Sequence, residues 1–129
     1  MNDRQRIMVV DDDQNMLKLL NRVLELEGFD AIVVAESDSA LNLLEEINPD
    51  LVILDIMMPE LDGFQTLELI RERSNVPVIM LTARSEVTIL QRSLVLGADD
   101  YVRKPFSTRA LIARIRAKLR RARQEVLQP

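Results

Sequence analysis

The chain has 129 residues, 47% of them apolar and 29% charged, with a formal net charge of -4; this suits one compact domain that buries its own core without metal or disulfide. It contains no cysteine and no histidine, which excludes thiolate chemistry, disulfide frameworks, cysteine-based zinc sites and the commonest general base. The mild acidity argues against a grip on DNA through phosphate neutralisation, and neither a bilayer-spanning apolar run nor a signal peptide is present, so a cytoplasmic protein without membrane contact is expected.

In chain order, residues 7–10 (IMVV) read as a buried strand. Over 15–27, Met16, Leu19, Leu20, Val23, Leu24 and Glu27 recur on a helical period that Gly28 closes, and Asp13 reads as a cap. Residues 31–34 form the second strand. Ser37 reads as the N-cap of a helix through Ile47, with Ala40, Leu41, Leu43, Leu44 and Ile47 facing inward and Pro49 stopping it. The third strand, 51–54, is apolar throughout, as expected when both faces are covered. A turn over 58–63 leads to a helix over 64–73, then to a fourth strand over 77–81 with Pro77 at its tolerated first position. A helix over 86–96 ends at Gly97, residues 100–103 make a short fifth strand, and Ser107 caps a last helix running to about 124. Arg114, Arg116, Lys118, Arg120, Arg121 and Arg123 on that helix read either as a solvated face or as a surface for acidic groups of a partner. The residues after it lack periodicity and read as the start of a linker.

Strands alternating with helices at this spacing imply parallel βαβ units with right-handed crossovers. The expected fold is α/β: a flavodoxin-like, doubly wound, five-stranded parallel sheet of strand order 2-1-3-4-5 with five helices. Such sheets bind ligands at the carboxyl ends of their strands, where the order reverses. Those ends carry Asp11, Asp12 and Asp13 after strand one, Asp55 after strand three, Thr82 after strand four and Lys104, followed by Pro105, after strand five. Taken singly, Asp11 and Asp12 could simply cap a helix or sit in solvent, and Thr82 or Lys104 could be surface residues. Together they converge on one crevice. Clustered carboxylates repel unless one protonates or a cation neutralises them. An all-oxygen set without histidine or cysteine suits a hard ion, magnesium above all. With Lys104 as a second cation, Thr82 as hydrogen-bond donor and Asp55 as nucleophile, the set fits phosphoryl transfer onto an aspartate.

The segments IMVVDDDQNM, DLVILDIMMPELDGF, PVIMLTAR and GADDYVRKPF resemble the receiver domain of two-component response regulators over nearly the whole chain. GADDYVRKPF followed by LIARIRAKLRR resembles the OmpR/PhoB subfamily of transcription factors. The resemblance implies a CheY-like form of the fold and roles for single residues. Asp55 matches the phosphoacceptor, Asp12 the acid that binds the metal directly, and Asp11 the acid that reaches it through water. Met57 matches the position whose backbone carbonyl completes the protein ligands, for Mg2+ with Mn2+ able to substitute. Thr82 matches the switch hydroxyl, Tyr101 the aromatic that turns inward after it, and Lys104 the phosphate-pairing lysine before a cis Pro105. Ala83 is small enough to leave the phosphoryl group accessible. Met57 and Arg84 offer no water-positioning carboxamide or acid, so a long-lived phosphoryl group is expected.

The implied partner is a sensor histidine kinase that presents phosphohistidine. The domain promotes its own phosphorylation and is not a turnover enzyme. Phosphorylation is expected to draw Thr82 and its loop inward, with Tyr101 following, and so to reshape the face of the fourth helix, fifth strand and fifth helix. That face, with Leu90, Leu94, Asp99, Asp100, Ala110, Arg114 and Arg121, is expected to make a two-fold homodimer. Leu90 and Ala110 stand where the subfamily has a facing basic and acidic pair, so an apolar contact replaces that ion pair. Residues 1–123 are expected to form the receiver, and 124–129 the start of a linker to an output domain, a winged-helix domain through which alone DNA would be bound. Three other readings remain. A magnesium-dependent phosphatase usually needs a second aspartate where Met57 stands. A flavin module would need a phosphate-cradling loop where Asp11, Asp12 and Asp13 would repel phosphate. The third is a receiver without any output domain.

Overall fold

Each strand is short and apolar on both sides, so the sheet they form must be covered on both faces. The computed structural model describes residues 4–56, 62–83 and 87–127, with side chains described as far as residue 124. Its elements are β1 (Arg6–Val10), α1 (Gln14–Leu26), β2 (Asp30–Val34), α2 (Ser37–Ile47), β3 (Leu51–Asp55), α3 (Gly63–Arg73), β4 (Val78–Thr82), α4 (Val87–Val95), β5 (Asp100–Arg103) and α5 (Thr108–Leu127). The strands form one parallel sheet of order β2-β1-β3-β4-β5, the order expected from the alternation of elements.

The period-2 alternation of strand side chains divides the core in two. Met8, Val10, Val52, Leu54, Val78 and Met80 face one side, where Ala40, Leu41 and Leu44 of α2 and Phe64, Leu67 and Ile70 of α3 cover them. Ile7, Val9, Leu51, Ile53, Ile79 and Leu81 face the other, covered by Leu17, Leu20 and Leu24 of α1 and Leu111, Ile112, Ile115 and Leu119 of α5. The two strands beside the strand ends that matter most, β3 and β4, are buried along their full length.

The helix boundaries follow local chemistry. Asp13 caps α1 as expected, its Oδ1 accepting from the N–H groups of Asn15 at 2.9 Å and Met16 at 3.4 Å. At the other end Gly28 takes φ +91°. Its N–H reaches the Glu25 carbonyl at 3.1 Å and that of Phe29 the Leu24 carbonyl at 3.0 Å, a Schellman closure reinforced by apolar contact between Phe29 and Leu24. Asp62 and Gln65 form a reciprocal capping box on α3.

Several expectations are corrected. Ser37 does not cap α2; Glu36 holds the cap position without a side-chain bond. Ser37 is instead buried, its hydroxyl accepting from Thr66 Oγ1 at 2.9 Å across the α2–α3 contact. Leu19 does not face the core but is 44% exposed, and Leu17 takes the buried position. Pro77 precedes β4 and is not its first residue. The last helix continues to Leu127, because no glycine or proline intervenes before Pro129 to break it. The expected turn residues Met58, Pro59, Glu60 and Leu61 and the expected helix start Glu86 lie outside the described residues.

Candidate functional site

β1 lies between β2 and β3, so the chain leaves it in one direction and returns on the other side. The crevice at the carboxyl ends of β1 and β3 is therefore the switch point of the sheet. Asp11 follows β1 directly and is buried, and its backbone N–H bonds the Val34 carbonyl at 3.1 Å, fixing it against β2. Asp55 is the last residue of β3, opposite Leu81 of β4, and is only 5% exposed. Asp12 projects beside them into solvent. One carboxylate oxygen from each of Asp11, Asp12 and Asp55 can be chosen so that all lie within 4.8 Å of one another.

The three consecutive aspartates thus divide their work. Asp13 caps α1. Asp11 accepts the Asp13 N–H on Oδ1 at 2.9 Å and the Lys104 ammonium on Oδ2 at 3.1 Å. Asp12 is left at the mouth of the cluster. Lys104 reaches the site from the far edge of the sheet, its Nζ 3.6 Å from Asp55 Oδ1. The backbone that carries it is anchored: its N–H bonds the Thr82 carbonyl at 2.7 Å, and the bond to Pro105 is cis, as expected. Thr82 ends β4 and is fully buried. The ends of β1, β3, β4 and β5 therefore bring Asp11, Asp12, Asp55, Thr82 and Lys104 to one place. Met57 and Arg84, the remaining expected neighbours of the site, lie outside the described residues.

Three carboxylates against one ammonium leave two negative charges in a partly buried crevice. Such a group is stable with a divalent cation or with one carboxylate protonated. The donors are hard oxygens throughout, so they fit magnesium or manganese and give no soft ligand for zinc or copper.

Gly63 belongs to the site and was not singled out by sequence. A Cβ there would collide with the Asp55 carbonyl oxygen and Ile56 Cα, while its own N–H bonds the Ile56 carbonyl at 2.9 Å. The start of α3 can lie against the carboxyl end of β3 only with glycine. The Asp62-Gly63 pair signals a turn in sequence, but the close approach belongs to the fold. Arg92 was also missed; its guanidinium lies 4.3 Å from the centroid of the Phe64 ring next to Gly63.

Of the expected output residues, Tyr101 on β5 is half-buried and packs against the α2–α3 side of the core. Leu90 and Leu94 of α4 are 36% and 52% exposed. Arg114 of α5 pairs with Asp100 of β5 at 2.9 and 3.0 Å, and Asp99 pairs with Arg71 at 2.8 Å. Ala110 and Arg121 are exposed. These residues share the α4–β5–α5 side of the molecule. No helix among the described residues is long and apolar enough to cross a membrane.

Residues 7–116 match the response regulator receiver domain family. The chain is 46% identical over 122 residues to the DNA-binding response regulator MtrA of Mycolicibacterium smegmatis, covering 95% of this chain and 54% of that protein. It is 49% identical over 117 residues to the transcriptional regulatory protein CpxR of Escherichia coli, covering 91% of this chain and 50% of that protein. It thus spans about half the length of these relatives. Among solved structures, a CheY-like receiver domain protein of Methanospirillum hungatei superposes with a TM-score of 0.90 at 31% identity, over 95% of this chain and 99% of that one. The BeF3-activated N-terminal receiver domain of Klebsiella pneumoniae RstA superposes with a TM-score of 0.86 at 33% identity, over 90% of this chain and 99% of that one.

Proposed function

The chain belongs to the response regulator receiver domain family, and from that premise we propose that Asp55 accepts a phosphoryl group from a sensor histidine kinase and that the modified site reshapes the α4–β5–α5 face. The observation that carries the reading is the convergence of Asp11, Asp12 and Asp55 within 4.8 Å, with Lys104 beside two of them.

A carboxylate oxygen of Asp55 attacks the phosphorus of the kinase's phosphohistidine, the phosphorus–nitrogen bond breaks, and the histidine leaves with the electron pair. Lys104 pairs with a phosphoryl oxygen. Thr82, at the end of the neighbouring strand, donates its hydroxyl to another. Asp11, Asp12 and Asp55, with the Met57 carbonyl, would hold magnesium, or manganese in its place. When bound, the ion neutralises charge on the transferring oxygens. The chain promotes its own modification and turns over no free substrate.

The dianion on Asp55 biases two states of the molecule. Thr82 draws in and Tyr101 follows, and the face bearing Leu90, Leu94, Asp99, Asp100, Ala110, Arg114 and Arg121 becomes competent to pair with a second copy. Relatives named as DNA-binding and transcriptional regulators, about twice the length of this chain, support an OmpR/PhoB-type regulator. In that reading residues beyond α5 link to a winged-helix output domain, which alone binds DNA.

Incubation with acetyl phosphate and magnesium, followed by intact mass measurement, tests the core of this reading. The expected result is a gain of one phosphoryl group, absent when magnesium is chelated beforehand and absent in Asp55→Ala. Equal modification of Asp55→Ala would overturn it.

A further inference from the structure

α4 is tied to α3 at two places of unequal strength. Past its C-terminal end, Arg71 of α3 holds the turn that follows: its Nε donates to the Gly97 carbonyl at 2.9 Å and a terminal nitrogen to Asp99 Oδ2 at 2.8 Å. Within the helix the attachment is slighter. Ile89, Ser93 and, just beyond its end, Leu96 make the inward stripe, at the spacing of one helix face. Ile89 and Leu96 are only partly buried. Ser93 between them is fully buried, but its hydroxyl donates to the Ile89 carbonyl of its own helix at 2.9 Å. Among the described residues, no side chain of α4 makes a hydrogen bond or ion pair to another element.

Arg92 supplies the one charged contact that leaves the helix. Its guanidinium carbon lies 4.3 Å from the centroid of the Phe64 ring, well inside the range of cation–π attraction. The two partners differ in mobility of setting. Phe64 is 4% exposed and packs in the same core cluster as Ile56. It follows Gly63, whose backbone lies so close to the Asp55 carbonyl that no Cβ fits. The ring is therefore part of the frame that carries Asp55, whereas the cation belongs to a lightly packed helix.

We infer that Arg92 is a positioning residue: stacked on Phe64, it tethers α4 while Asp55 is unmodified, and the stack is given up when α4 moves. The inference rests on the proposed modification of Asp55 for its second half, while the tether itself is testable without it. A contact made in one arrangement and lost in the other biases the equilibrium by its own free energy and no more. For an exposed cation–π pair that is a factor of about two to five.

Hydrogen exchange of the α4 amides in the unmodified chain should therefore speed up by about two- to fivefold in Arg92→Ala, with α1 amides as the unchanged internal standard. Phe64→Leu removes the ring and should have the same effect on α4. The double variant should exchange no faster than the faster single one, because both lose one shared contact. Arg92→Lys, which keeps the charge but not the planar group, should fall between parent and Arg92→Ala. With magnesium present, Arg92→Ala should reach half-saturation with beryllofluoride at about two- to fivefold lower concentration than the parent chain. A side chain that served stability alone would not tighten that binding.

Unchanged α4 exchange in Arg92→Ala overturns the tether, and this holds even if Phe64→Leu fails to fold. Faster exchange with beryllofluoride affinity unchanged or weakened overturns the inference that the stack opposes the modified arrangement. A parent chain that takes up no beryllofluoride overturns the reading of Asp55 and the second half of the inference with it, and the exchange data then decide the tether alone.

Discussion

At the scale of single residues, the site works by unequal burial of like charges. Asp11 and Asp55 are almost fully buried, while Asp12 is exposed. Lys104 lies nearer Asp11, at 3.1 Å, than Asp55, at 3.6 Å, so Asp11 holds the lysine in the crevice beside Asp55. Asp12 has no such structural duty, and its loss should show chiefly in metal affinity. Calorimetric titration with magnesium is expected to show Asp12→Ala binding about 10-fold to 100-fold more weakly, the scale on which metal sites respond to the loss of a contributing group. Its thermal unfolding midpoint without metal should not fall, because removing one of three clustered negative charges relieves repulsion. Unchanged magnesium affinity in that variant would remove Asp12 from the ligand set.

At the scale of elements, the helices next to the site are attached very differently. α3 is bound tightly: it buries Phe64, Leu67 and Ile70 and meets β3 through Gly63. Gly63→Ala should therefore cost on the order of 1–3 kcal/mol, since backbone atoms on both sides must shift. Denaturant unfolding would measure it, and slower phosphoryl uptake should accompany it because the Asp55 carbonyl is one of the atoms displaced. α4 is bound lightly. Ser93 is its only buried residue, while Val87, Leu90, Leu94 and Val95 are exposed. The contact of Arg92 with Phe64 is one of its few anchors. A helix held by so little apolar burial can shift at small energetic cost, which suits the movement proposed for α4 on modification of Asp55.

At the scale of the whole molecule, the two-sided core separates a fixed frame from a responsive face. β1, β3 and β4 are sealed between α1 and α5 on one side and α2 and α3 on the other, a frame suited to hold the crevice in shape under the proposed change of the α4–β5–α5 face. That face carries exposed Leu90 and Leu94 next to the Asp100–Arg114 pair. A surface with an apolar centre and both signs of charge can complement a second copy of itself about a two-fold axis. With beryllofluoride and magnesium, sedimentation is expected to shift from monomer to dimer, and Leu94→Asp should prevent the shift. A parent chain that remained monomeric under those conditions would count against the face as a dimer contact.

The alternation of apolar runs with amphipathic stretches determined, by itself, the class of sheet, and made the order 2-1-3-4-5 that the structure shows the first expectation among doubly wound orders. Period-2 strands of all-apolar residues such as 51–54 have no stable solution except burial between helices. The run of aspartates after strand one and the single aspartate after strand three likewise marked the crevice, because the ends of parallel strands meet at the switch point. Which aspartate does what was not legible in DDD alone. Burial of Asp11, exposure of Asp12 and capping by Asp13 depend on how α1 leaves the sheet. Ser37 misled for a related reason: its hydroxyl suits a cap locally, but the α2–α3 contact supplies a buried partner in Thr66. Gly63 and Arg71 carry no local signature of their roles. Their constraints come from atoms of Asp55, Gly97 and Asp99, distant in sequence, and only packing in three dimensions brings those atoms within contact.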